Sequence, residues 1–149
     1  MVGLFVVLGL LIIIVVSVLS IGSLRSRSMR SLAARLGFEY MDQNLPDCFP
    51  SKADPFDKIQ LVWNVLSGKR KNVGIVVFDG LYGAGRGISR TYIAVQTAKN
   101  PFPKDESLLG NVLQSGGWTV LFGSQPALNL ISWSLGSRRI EEYLNRLDL

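Results

Sequence analysis

Histidine is absent from this 149-residue sequence, and cysteine occurs once, at Cys48. Without histidine there is no Ser-His-Asp or Cys-His catalysis and no haem ligation through imidazole. One cysteine alone cannot supply the ligands of the common zinc sites, nor can it close an intrachain disulfide, which fits a reducing compartment. No cofactor or metal is therefore expected. Acidic residues are missing from the first 37 positions, and the first 22 carry no ionisable side chain at all.

What fills that opening is apolar. Val2 to Ile21 reads VGLFVVLGLLIIIVVSVLSI, with only two serines in twenty residues. At 1.5 Å per residue such a helix covers roughly 30 Å, the hydrocarbon thickness of a bilayer. Val, Leu, Ile and Phe occupy every side of the helical wheel, so no polar face is left for a water-soluble helix. The rival readings are a buried core helix and a cleaved signal peptide, for which Ser20-Ile21-Gly22 offers a small-x-small site. Only Met1 precedes the run, with no basic n-region, and the run exceeds the usual h-region of about 7–15 residues. The expectation is a membrane-spanning anchor over 1–22.

Positive charge sets its orientation. Arg25, Arg27, Arg30 and Arg35 follow the apolar run with no acid among them. Basic flanks stay on the cytoplasmic side, so the N-terminus is expected outside and the rest in the cytoplasm, at the inner (plasma) membrane of a bacterium. Those four arginines account for most of the net charge of +5, leaving twelve basic against eleven acidic residues elsewhere. The remainder is nearly neutral, which gives no basis for nucleic-acid binding. The arginines stand where anionic headgroups would lie, each contributing on the order of 1 kcal/mol if it reaches the surface.

Residues 23–37 form a basic juxtamembrane segment. Met29, Leu32, Ala33 and Leu36 recur at helical spacing before Gly37, predicting a short amphipathic helix over 28–36 that lies on the headgroups or packs on the domain. Residues 38–149, about 110 in number, suffice for one small domain. Phe38-Glu39-Tyr40 alternates and starts a first strand. Asp42 to Asp57, with Pro46, Pro50 and Pro55, reads as irregular, pinned to the core by Phe49 and Phe56. Ile59 to Ser67, Asn72 to Tyr82 and Ile88 to Ala98 are β-branched and aromatic runs. They are joined by Gly68-Lys69-Arg70-Lys71 and Gly83-Ala84-Gly85-Arg86-Gly87, connections short enough for an antiparallel meander. Successive turns of a meander lie at opposite ends, so at most one touches the bilayer. The glycine tip does not open a helix and lacks the spacing of a phosphate-binding loop.

Towards the C-terminus, Ser107 to Gln114 reads as a short helix closed by Gly116-Gly117. Trp118 to Phe122 and Leu128 to Leu135 read as strands. A final helix is N-capped by Ser137, with Ile140, Leu144 and Leu147 on one face and an Arg138–Glu142 pair. The expected fold is α+β: an antiparallel sheet of about five strands with a C-terminal helix covering one face.

Asn64-Val65-Leu66-Ser67-Gly68, then Val77-Phe78-Asp79-Gly80-Leu81-Tyr82, then Gln96-Thr97 resemble the motifs of a group of uncharacterised bacterial membrane-anchored proteins. That group's pattern runs N-V-L-x-G, F-D-x-x-Y, a Gly-rich turn and Q-T. The resemblance extends from about Leu32 to the C-terminus, with Phe122, Pro126 and Leu135-Gly136 fitting its last part. Members carry a histidine near Q-T and a further C-terminal segment that this sequence lacks. The resemblance implies the architecture and no activity. Two function classes follow. One is a membrane-tethered, non-enzymatic interaction module or accessory subunit with a protein partner in the membrane. Its candidate contact residues are Trp63, Trp118 and Trp133, at least one of them exposed or in contact with another chain, and the Lys69-Arg70-Lys71 tip. The other is a membrane-tethered hydrolase or transferase using Asp79, Tyr82 or Lys99.

Overall fold

The computed structural model describes residues 2–83, 88–102, 110–123, 136–147 and 149, with backbone alone for 2–5, 14–21, 88, 110, 111 and 123. The described residues form an α+β domain built on one antiparallel six-stranded sheet. Helix α1 (Val2–Leu36) leads into β1 (Glu39–Asp42), and a 3-10 turn at Phe56–Lys58 precedes β2 (Ile59–Arg70). Strands β3 (Val73–Tyr82), β4 (Ile88–Val95), β5 (Gly110–Ser115) and β6 (Trp118–Gly123) follow, and α2 (Ser137–Arg146) is the last element among the described residues. The strand order is β1-β2-β3-β4-β6-β5.

The helix expected over 28–36 is the C-terminal part of α1, which runs without a break from the apolar stretch and stops where Gly37 takes φ +68°. The expected meander is present as β2-β3-β4. Its first turn lies further along than the glycine suggests. Arg70 pairs with Val73, and Lys71 and Asn72 both have positive φ, the form of a two-residue type I′ turn. Gly68 is inside β2 for a different reason: a Cβ there would stand 2.1 Å from the Phe38 ring. Residues 110–115 correct the expected 107–114 helix. They are a strand, because Gly116 and Gly117, both at positive φ, close a second two-residue hairpin with Ser115 paired to Trp118. The strand expected at 128–135 lies outside the described residues.

Alternation along the strands fills both faces. On one face Leu66, Ile75, Val77, Ile93, Val95 and Leu121 pack under Met29, Leu32 and Ala33 of α1 and Ile140, Tyr143 and Leu144 of α2. On the other, Val65, Val76, Phe78, Tyr92, Val120 and Phe122 are covered by the proline-bearing segment through Phe49 and Phe56, the two expected pins. The final helix is capped differently from expectation. Gly136 occupies the N-cap, while the Ser137 hydroxyl accepts from Ser28 at 2.8 Å and so joins α2 to α1.

Candidate functional site

The only buried polar and charged residues described are Asn64, Asp79, Thr91 and Thr119, and the first three converge under α1. Arg25 brings them a charge. Its position continues the stripe of Met29, Leu32, Ala33 and Leu36 back by one turn, which turns it onto the sheet. Arg25 Nε donates to Asp79 Oδ2 at 3.0 Å and Nη2 to Asp79 Oδ1 at 2.9 Å, the bidentate fork that guanidinium geometry favours. Nη2 also donates to Thr91 Oγ1 at 3.2 Å, and the Thr91 hydroxyl donates to Asp79 Oδ1 at 2.7 Å. Asn64 Nδ2 donates to Asp79 Oδ2 at 3.0 Å, while Asn64 Oδ1 accepts from Ser26 Oγ at 2.8 Å and from Tyr40 OH at 2.9 Å.

A bulge positions Asn64. Trp63 pairs with Asp79 and Leu66 with Val77, so Asn64 and Val65 together face one residue of β3. Asn64 takes φ +53°, a left-handed conformation that asparagine tolerates better than most residues. The bulge puts its amide beneath α1 and sends Val65 and Leu66 into opposite core layers.

Each Asp79 oxygen accepts two hydrogen bonds, so the carboxylate has its four lone-pair positions occupied and its side chain is 2% exposed. A proton acceptor for a substrate would need one of them free. Asp79, Tyr82 and Lys99 also do not converge. Tyr82 lies on the opposite face, stacked on Phe122 at 6.1 Å, and Lys99 is exposed beyond the far end of β4. The group is chemically a joint: it fixes α1 to the sheet with a paired, fully hydrogen-bonded charge.

The other expected contact residues are dispersed. Arg30 stacks over the Tyr40 ring at 4.9 Å, Arg35 pairs with Glu141 at 2.9 Å, and Arg27 is exposed. Of the basic tip, Lys69 is exposed, but Arg70 donates to the Leu144 carbonyl and to Asn145 Oδ1, and Lys71 reaches the Leu149 carbonyl at 3.4 Å. Arg70 therefore caps the C-terminal end of α2, where the helix leaves carbonyls unpaired and its dipole is negative, while Lys71 meets the chain three residues beyond that helix. Trp118 is a core residue whose indole donates to the Cys48 carbonyl at 3.2 Å, Trp63 is half-buried, and Trp133 lies outside the described residues.

Sequence reasoning singled out Asp79 but missed Asn64, Thr91, Ser26 and Tyr40 as its surroundings. The usable signal was present: Arg25 sits four residues before Met29, and N-V-L-x-G and F-D-x-x-Y place Asn64 and Asp79 on neighbouring strands. No group of three or more metal-ligating side chains occurs among the described residues. Comparison with family models, curated proteins and solved structures finds no match.

Proposed function

We propose that the chain is a single-pass membrane protein that holds a protein partner in the membrane, as an accessory subunit, rather than catalysing a reaction. In this reading residues 2–21 span a bacterial plasma membrane, the N-terminus is outside and the α+β domain faces the cytoplasm. One observation carries it. On α1, Val6, Val7, Leu8, Leu10, Leu11, Ile12 and Ile13 are each 56–63% exposed, although consecutive residues point in every direction around a helix. Contiguous apolar surface of that kind marks a membrane or protein contact. Among the described residues no helix is long and apolar enough to cross a membrane. Most of Val2–Ile21, however, lies where side chains are outside that description, and the twenty-residue apolar sequence supports the assignment.

The polar joint supports the accessory role. Asp79 is consumed in fixing the domain to the helix that emerges from the bilayer, and a domain rigidly set on its anchor presents a fixed surface to a neighbour in the membrane. Arg27 is the arginine best placed for an anionic headgroup, and the near-neutral domain favours protein over nucleic acid. Pelleting membranes at alkaline pH, followed by co-purification in mild detergent and mass spectrometry, tests both parts. The chain should stay with the membrane and bring a stoichiometric partner. Recovery of the intact chain in the soluble fraction would refute the anchor, and recovery alone in every mild detergent would refute the accessory role.

A further inference from the structure

Leu61 is 60% exposed, and apart from α1 the only other large hydrophobic side chain so exposed among the described residues is Val112, at 38%. Its place in the fold explains what would cover it. The Ser26–Asn64 hydrogen bond fixes one point of α1 against β2, and the Phe38 ring seated on Gly68 fixes the far end, so the helix runs along the strand. Leu61 is three residues before Asn64, about 10 Å at a strand rise of roughly 3.3 Å, which is six or seven residues of helix. That carries it to the level of Leu19 or Ser20. The Arg25–Asp79 pair gives the same answer independently: Leu81, across the sheet from Leu61, is two residues past Asp79, about 7 Å, or four to five helical residues before Arg25. Both routes end within the last turn of the apolar stretch, which closes at Ile21.

We infer that this end of the sheet is a second membrane contact, with Leu61 seated in the interfacial layer of the bilayer and half-buried Trp63 beside it. The inference rests on the membrane reading of α1. If residues 2–21 span the hydrocarbon, Leu61 stands at its boundary, where an exposed leucine gains by leaving water and where tryptophan is enriched. Leu24, 62% exposed, lies at the same boundary on α1. Lys58 pairs with Asp54 at 2.9 Å and Asp57 is exposed, so these neighbouring charges leave no net positive charge to attract an anionic headgroup. The contact is therefore apolar and needs no anionic lipid. It also orients the meander: the tip at Gly83 faces the bilayer, and the Lys69–Lys71 tip points away.

The test uses the full chain in phosphatidylcholine vesicles, with Cys48→Ser as background and single nitroxide labels at Leu61→Cys, Lys69→Cys or Val7→Cys. Collision with oxygen reports lipid and collision with a water-soluble nickel chelate reports solvent. The oxygen-to-nickel ratio should be highest at 7, intermediate at 61 and lowest at 69. A ratio at 61 equal to that at 69, with 7 still in lipid, overturns the inference and leaves the anchor standing. A water-like ratio at 7 removes the anchor and the inference with it. Dipolar broadening between labels at 61 would assign the surface to a second copy of the chain and also overturn it.

Discussion

Asp79 is the residue on which most of this structure's polar chemistry turns. Removing one member of a buried ion pair leaves the other charge uncompensated, so Asp79→Ala should lower stability by about 3 kcal/mol, measured by chemical unfolding. Asp79→Asn keeps the shape but removes the same charge and sets an amide donor against the donors that surround it, so it should cost about as much. Arg25→Met with Asp79→Leu should recover much of the loss, because no lone charge remains. Gly68→Ala should cost about 1–3 kcal/mol through the overpacked Phe38 ring, and much less when Phe38→Ala makes room. Burial pushes the Tyr92 phenol up to about 12. The folded state thus favours the neutral phenol. This contribution is complete below the ordinary tyrosine value near 10 and is lost as pH rises from there towards about 12, so alkaline unfolding should set in over that interval and shift in Tyr92→Phe. Asp79 was visible in the sequence as the lone acid of an apolar strand. Its partner was not, because Arg25 comes 54 positions earlier and reads equally well as a headgroup contact until the helix stripe is extended back to it.

At the scale of elements, alternation and turn chemistry revealed the meander, the pins at Phe49 and Phe56, and the apolar face of α2. Two readings failed for one reason: glycine does more than one job. Gly68 marks a close approach inside a strand rather than a turn, whereas Gly116-Gly117 marks a hairpin rather than a helix end. Short apolar stretches such as Asn111 to Gln114 fit either period, and the pairing partner decides. The cationic tip was read as a surface for a partner, but a turn cannot announce that a helix end will dock on it from 74 residues away. Arg70→Ala should accordingly loosen α2, costing about 1–2 kcal/mol and raising amide exchange across residues 140–146, while Lys69→Ala leaves both unchanged.

At the scale of the whole molecule, a six-stranded sheet is covered on one face by two helices and on the other by a proline-bearing segment, and the first helix continues past the sheet as an apolar rod. The antiparallel α+β class follows from local pattern. The second covering layer was less legible, since irregular segments carry no period and only Phe49 and Phe56 betrayed it. The joint of Arg25, Asp79, Asn64 and Thr91 ties α1 to the sheet, so that a membrane around residues 2–21, as proposed, would fix the attitude of the domain. The orientation of that helix is tested most directly by paired reporters fused after Leu149, one active only in the cytoplasm and one only outside it. The account predicts activity of the cytoplasmic reporter in membrane-bound material and silence of the other; activity of the external reporter at that position would contradict it.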